Sequence, residues 1–216
     1  MKIIAFSDNH GYLPELEPCD VVCICGDIIP LEIQKDIFMS WWWFNNKFKE
    51  WAEKLDCKKV IFIAGNHDFF LEDEEPFEMG KVIYLKDSNY EYEGVTFYGS
   101  PWITGLPYWA FNVSETEQEE LFKKIPDNID FLLTHTPPFD INDIGRVDFK
   151  QGNPIDFGSK ALTKILSKDK NIRFALSGHI HSGNHNLTER NNIKLYNVSL
   201  NDESYDIYYN PLIVNI

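Results

Sequence analysis

Short apolar runs, each closing on a small polar cluster and alternating with an amphipathic helical stretch, predict an α/β fold whose buried strands share one functional edge. Three such runs lead the chain: Lys2 to Ser7 ends in Asp8, Val21 to Cys25 ends in Gly26-Asp27, and Lys59 to Ala64 ends in Gly65-Asn66-His67-Asp68. Each is short and rich in Ile, Val or Phe, as parallel strands covered on both faces tend to be. Between the second and third, Trp41, Phe44, Phe48, Trp51 and Leu55 recur at steps of three and four. That spacing predicts a helix over residues 33–55 with one buried face. Trp42 and Trp43 fall off this stripe and are read as packing against a loop.

Further on, 81–85 and 95–98 read as strands, with Glu93-Gly94 as a turn signal. Ser114-Glu115-Thr116-Glu117 has the form of a capping box and opens a predicted helix to about Ile125. The run 131–134 ends in His135. A helix over 159–166 precedes a strand over 173–176, which closes on Ser177-Gly178-His179-Ile180-His181. In the tail, 194–200 and 205–209 read as a closing hairpin or edge strands. No repeat or linker marks a boundary, so 1–216 reads as a single domain.

Hydrophobic residues make up 44% of the 216 residues and charged residues 25%, the composition of a globular protein and not of a disordered one. Acidic residues outnumber basic ones 34 to 20, a net charge of −14. This surface repels polyphosphate backbones and argues against long nucleic acids as partners. It leaves room for a small anionic substrate, because two divalent ions would add about four positive charges inside a cleft. The N-terminus turns polar too early for a secretory signal, and no apolar run reaches membrane-spanning length, so a cytoplasmic protein without a membrane partner is expected. Cys19, Cys23, Cys25 and Cys57 form no Cys-x-x-Cys pair and read as reduced, buried thiols and not as a metal site.

Five of the six histidines fall in motifs that directly follow strand-like runs, the exception being His185, which is placed in a surface turn. Loops beyond the carboxyl ends of strands are where α/β sheets assemble their sites. Asp and His are common ligands of first-row divalent metals, and an Asn carbonyl can complete such a set. A carboxylate shared by two ions, with a water between them, creates a hydroxide nucleophile near neutral pH. Glycines at 26, 65 and 178 would let the backbone turn sharply at the strand ends.

In order, Asp8-Asn9-His10, Gly26-Asp27, Gly65-Asn66-His67-Asp68, the lone His135 and Gly178-His179-Ile180-His181 resemble the motifs of the calcineurin-like metallophosphoesterase superfamily. The resemblance implies a four-layer α-β-β-α sandwich of two mixed sheets flanked by helices, with metals at their upper edge. It implies Asp8, His10 and His181 on a first metal, Asn66, His135 and His179 on a second, and Asp27 bridging both. His67 would be catalytic and not a ligand, facing the phosphoryl group, with Asp68 orienting its ring. Manganese is the first candidate metal, with Fe, Ni, Co or Zn as alternatives.

The chain lacks the Asp-Arg-Gly that follows Gly-Asp in protein Ser/Thr phosphatases, and Pro30 occupies the position of the tyrosine ligand of purple acid phosphatases. Gly99-Ser100-Pro101-Trp102, Trp109-Ala110-Phe111 and Thr134-His135-Thr136-Pro137-Pro138 are similar to the family of the brain 239 protein and its bacterial relatives, associated with phosphodiester and cyclic-nucleotide hydrolysis. The expected function is thus hydrolysis of a small phosphoester, a phosphodiester with a cyclic nucleotide as first candidate, by a metal-bridging hydroxide. The alternatives are a nuclease of the same superfamily and a non-catalytic binding protein on this fold. Trp102 and Phe139 are candidate base-stacking residues. Arg146 is a candidate phosphate contact, but its segment, 140–157, departs from the family, so it stays outside the expected site.

Overall fold

The computed structural model describes residues 1–141, 144–147, 154–156, 158–167, 170–183 and 185–216. Half of the divergent segment 140–157, and the Arg146 side chain, lie outside the described residues. The first five strands are β1 (Lys2–Phe6), β2 (Val21–Cys25), β3 (Lys59–Ile63), β4 (Phe77–Met79) and β5 (Val82–Tyr84). They are followed by β6 (Ser88–Tyr92), β7 (Val95–Ser100), β8 (Asn128–Thr134), β9 (Ile144–Val147) and β10 (Pro154–Asp156). The last four are β11 (Asn171–Ser177), β12 (Thr188–Arg190), β13 (Ile193–Asn197) and β14 (Leu212–Asn215).

Two six-stranded sheets result, ordered β14-β1-β2-β3-β5-β4 and β12-β13-β11-β8-β7-β6, with β9 and β10 pairing separately. In each sheet the four central strands are parallel and both edge strands antiparallel. The parallel centres explain the unalternating apolar runs, since both faces of these strands are covered. Between the sheets, Ala5, Cys23, Ile61 and Ile63 meet Phe97, Phe131, Leu133 and Leu176. The outer face of the first sheet is covered by Phe44, Phe48 and Ala52. That of the second is covered by Phe122, Leu162 and Ile165. The expected four layers are therefore present.

The helical stretch of the first half begins later than its periodicity suggests. Residues 33–35 form a turn, and Asp36 caps α1 (Ile37–Trp43) by accepting from the Met39 amide. A π-helical segment, Phe44–Phe48, joins α1 to α2 (Lys49–Lys54). Its cause is local: the side-chain amides of Asn45 and Asn46 donate to the carbonyls of Trp41 and Trp42, at 2.9 and 2.7 Å, and occupy acceptors that an α-helix would use. Phe44 and Phe48 still lie fully buried and stacked, 5.1 Å apart. Trp43 packs partly buried against that core, whereas Trp42 is exposed.

The predicted capping box at Ser114 is formed and opens α3 (Glu115–Phe122), and Ser159 caps α4 (Lys160–Leu166). Glu93 and Gly94 both take positive φ in the turn joining β6 to β7, as a tight hairpin requires. Strand β6 was not anticipated, because its alternating Tyr and polar residues hide beside the turn. The tail differs most. Residues 205–209 do not form a strand but a loop tied by the bridge between Asn201 and Ile207, and the closing edge strand is β14. Among the described residues no helix is long and apolar enough to cross a membrane.

Phe131 stacks between Phe97, at 5.2 Å, and Phe174, at 4.7 Å, in the layer joining the sheets. Phe131→Ala should lower unfolding free energy by about 3–5 kcal/mol in urea denaturation, a large share of the roughly 5–15 kcal/mol of a typical domain. A loss below about 1 kcal/mol would show that this layer does not hold the sheets together.

Candidate metal centre

The first sheet delivers Asp8 after β1, Asp27 after β2 and Asn66-His67-Asp68 after β3. The second delivers His135 after β8 and His179 and His181 after β11. The site therefore lies on the seam between the sheets. There the Ser7 amide donates to the Val198 carbonyl at 2.8 Å, and the Leu200 amide donates back to Ser7 at 2.9 Å. Asp8, His10, Asp27 and His179 all hold positive φ, a strained state for residues with side chains and one that concentrates at functional sites.

Gly26 turns with positive φ as expected, but Gly65 and Gly178 serve a different purpose. A Cβ on Gly65 would lie 2.2 Å from Asp27 Oδ1, and one on Gly178 would lie 2.0 Å from Ser7 Oγ and 2.3 Å from Asp8 Oδ2. These glycines admit the carboxylates and do not form the turns.

Two histidines have their outer nitrogen committed. His135 Nδ1 donates to the Cys25 carbonyl at 2.8 Å, and His181 Nδ1 donates to the Asp202 carbonyl at 2.9 Å. Each Nε2 is thereby turned inward: that of His135 lies 3.0 Å from Asn66 Oδ1 and 3.4 Å from Asp27 Oδ2, and that of His181 lies 3.5 Å from Asp8 Oδ1. The His179 amide donates to both Asp8 oxygens, and the His179 ring leans on His135 with centroids 4.9 Å apart. Both ring nitrogens of His10 are buried without a hydrogen-bond partner. Inward-facing acceptors around carboxylates, with a buried imidazole left unsatisfied, are the donor chemistry of a divalent-cation site.

The protonation states agree. Burial pushes His10 down to about 4 despite Asp27, and burial with the neighbouring His135 pushes His179 down to about 3, which leaves both neutral with free lone pairs. Burial works against the Asp8 and Asp27 carboxylates, but His181 outweighs it at Asp8 and His135 with His67 outweighs it at Asp27, holding both well below the usual range. At His135 burial is likewise opposed by the charge and hydrogen bond of Asp27, which raise it to about 9. The field that favours a proton there also favours a metal cation.

Three ligand sets each bring their atoms within 4.8 Å of one another: Asp8, His10 and His181; Asp8, Asp27 and His135; and His10, Asp27 and His67. The first contains the three residues that the resemblance assigns to one metal, whereas His179 is in none of the three. The third places a His67 ring nitrogen within reach of the ligand cluster as well as of the cleft.

One expected role is corrected. Asp68 does not orient the His67 ring, because its carboxylate is occupied by backbone amides from Asp27, Ile28, Ile29 and Gly65. The partner of His67 Nδ1 is Gln34 Oε1, a residue that no motif singled out.

The stacking candidates are also displaced. Trp102 Nε1 donates to Asp87 at 2.7 Å and its ring packs against buried core residues, while Phe139 lines a separate cavity beside α3 and α4. The aromatic walls of the central cleft are instead Trp109, whose ring centroid lies 4.5 Å from that of His67, and Tyr205, 4.8 Å from that of His181. The Ala110 amide, donating to the Asn66 carbonyl at 3.2 Å, brings the Trp109 loop over the site. Tyr205 is carried by a turn that Asp202 organises. His185 is half-buried and not a free surface residue: it stacks on Tyr209 and bonds the His181 carbonyl. All four cysteines are free, with Cys23 and Cys25 buried and Cys19 and Cys57 half-buried.

Two facing mixed sheets with a carboxylate–histidine cluster at their seam define the class, and the sequence profile of the Calcineurin-like phosphoesterase family matches residues 1–183. The chain belongs to that family. It is similar to UPF0046 protein T07D4.2 of Caenorhabditis elegans, with 27% identity over all of this chain and 60% of that protein. It is also similar to metallophosphoesterase domain-containing protein 1 of Homo sapiens, with 26% identity over 84% of this chain and 61% of that protein. The chain thus spans about three-fifths of these two relatives. Among solved structures, TT1561 of Thermus thermophilus shares the fold with a TM-score of 0.57 at 15% identity, covering 91% of this chain and 88% of that one. Phosphopantetheinyl hydrolase PptH of Mycobacterium tuberculosis does so with a TM-score of 0.54 at 14% identity, covering 94% and 90%.

A saturating divalent cation should stabilise the native chain, by about 2.7 kcal/mol at a hundred times its Kd, or roughly 5–10 °C in Tm for a chain of this size. In differential scanning fluorimetry with manganese, Asp27→Asn should lose most of that shift. An undiminished shift in the variant would place the cation elsewhere.

Proposed function

We propose that the chain is a metal-dependent hydrolase of small phosphoesters that acts on a compact phosphodiester, with a cyclic nucleotide as first candidate. The observation that carries this reading is that Asn66 Oδ1, at 3.0 Å, and Asp27 Oδ2, at 3.4 Å, both converge on His135 Nε2. This convergence occurs on the floor of a cleft of about 240 Å³. In this proposal Asp8, His10 and His181 would hold one divalent ion and Asn66, His135 and His179 a second, with Asp27 available to both. Manganese is the first choice for ligands of this mixed oxygen and nitrogen kind. When bound, the pair supplies charge neutralisation for the phosphoryl oxygens and an activated water for in-line attack.

The chain's own residues do the rest. Asp8 and Asp27, ionised and buried, fix where positive charge sits and hence where the phosphate docks. His67 lies at the cleft floor with Nε2 3.8 Å from Asp27 Oδ2, placed to protonate a leaving oxygen or to hold a phosphoryl oxygen when its ring carries a proton on both nitrogens. Trp109 and Tyr205 flank that point and offer flat faces to a base, a contact worth about 1–3 kcal/mol. Lys35 lies over the Trp109 ring, 5.3 Å from its centroid, at the same rim. The small cleft suits a compact ligand, and the charge of −14 disfavours an extended polyanion. A cytoplasmic setting, where such small diesters are met, belongs to the same proposal.

The test is a panel on manganese-loaded protein: 2′,3′- and 3′,5′-cyclic nucleotides, an aryl phosphodiester, an aryl monoester and single-stranded DNA. A diester kcat/KM at least ten-fold above the monoester, about 1.4 kcal/mol in the barrier, is expected. Comparable monoester turnover would remove the diester preference, and efficient DNA cleavage would make the chain a nuclease. No turnover on any arm, with metal bound, would leave a binding protein.

A further inference from the structure

His67 is the one proposed catalytic side chain whose orientation the family motifs leave unexplained. Its sequence neighbour Asp68 is spent on four backbone amides and does not reach the imidazole. The ring is nevertheless enclosed. The His10 ring meets it edge-on at 4.7 Å, Trp109 lies at 4.5 Å, and Nε2 points towards Asp27. Ring packing restricts where the imidazole lies but does not choose which nitrogen carries a proton. A polar partner at Nδ1 makes that choice, and Gln34 Oε1 stands there.

Gln34 is itself well placed to act as a fixed partner. It lies between two anchored residues in the turn that precedes α1. Ile33 packs against the core and accepts the Ser40 hydroxyl at 3.0 Å and the Asp36 amide at 2.8 Å. Asp36 caps the helix through Met39. The side chain therefore approaches His67 from a part of the chain 33 residues away that has no place in the ligand motifs.

We propose that Gln34 is the positioning residue for His67. Its amide oxygen accepts Nδ1–H, locks the ring plane and turns Nε2 into the cleft. This inference rests on the catalytic reading of His67 given above. Gln34 does not touch the reacting atoms in this arrangement, so its effect passes through His67.

Steady-state kinetics on the metal-loaded chain would test this with Gln34→Ala, Gln34→Glu, His67→Ala and the double variant Gln34→Ala/His67→Ala. Loss of a partner that orients a site side chain typically costs about 10- to 100-fold. Gln34→Ala should lower kcat by that amount with KM changed less than about three-fold, and Gln34→Glu, which keeps an oxygen at the same reach, should recover most of the loss. In the His67→Ala background the same Gln34→Ala change should cost less than about two-fold, because nothing remains to be positioned. An unchanged kcat in Gln34→Ala, or an equal loss with and without His67, would overturn the proposal. A second readout does not depend on turnover. Long-range ¹H–¹⁵N spectra should show His67 Nδ1 protonated in the native chain and mixed tautomers in Gln34→Ala, and identical ring spectra in the two would overturn the assignment. A native chain that hydrolyses no phosphoester would sink the functional reading, and the ring spectra would still decide the role of Gln34.

Discussion

The carboxylate of Asp68 gathers the backbone amides of Gly65 and Asp27 at 2.8 Å, Ile28 at 3.0 Å and Ile29 at 3.1 Å, and the geometry of the centre depends on that one cluster of hydrogen bonds. It joins the loop after β2 to the loop after β3. The His67 amide, donating to Asp27 Oδ1 at 2.8 Å, completes the tie from the other side. Asp27 is thus fixed through its backbone by Asp68 and through its side chain by His67. Burial first, and the charge of Asp27 second, push the Asp68 carboxyl up to about 7 against the pull of its amide donors. A cation beside Asp27 offsets the second of these, so metal binding and the ionised form of this strut favour each other.

The two sheets contribute unequally but dependently. The first brings Asp8, Asp27 and Asn66, mostly oxygen donors, while the second brings the imidazoles of His135, His179 and His181. Hydrogen bonds crossing the seam bring the two sets into contact. The Cys25 carbonyl of the first sheet orients His135 of the second, and Asp8 of the first accepts the amide of His179 from the second. The stacked rings of Phe97, Phe131 and Phe174 line the inner face of the second sheet, in the apolar layer that packs against the first.

The strand ends and their ligand-type residues were legible in the sequence because buried parallel strands leave unbroken apolar runs, and the polar residue that ends each run stands out. The helix of the first half was legible as a stripe but not in its start or its π-helical turn, since both are set by side-chain bonds of Asp36, Asn45 and Asn46 that hydrophobic spacing does not register. Trp102 and Phe139 were plausible stacking residues by nearness in sequence to the motifs. Trp109 and Tyr205 reach the cleft through loops whose path depends on long-range bonds to Asn66 and within the Asp202 turn. Gln34 left no signal: a lone polar residue before a helix gains meaning only once the fold brings it to His67. The role expected of Asp68 differs for a related reason: adjacency along the chain suggests a side-chain pair where the structure forms a backbone clamp.

Ionised carboxylates and inward-turned imidazole nitrogens around Asp27 offer the donor chemistry of a divalent-cation site. Anomalous diffraction from manganese-soaked crystals would locate the ions themselves. Two anomalous peaks are expected on either side of the Asp27 carboxylate, one beside Asp8, His10 and His181 and the other beside Asn66, His135 and His179. A well-ordered cleft with no peak there, or with manganese bound only away from Asp27, would contradict that arrangement.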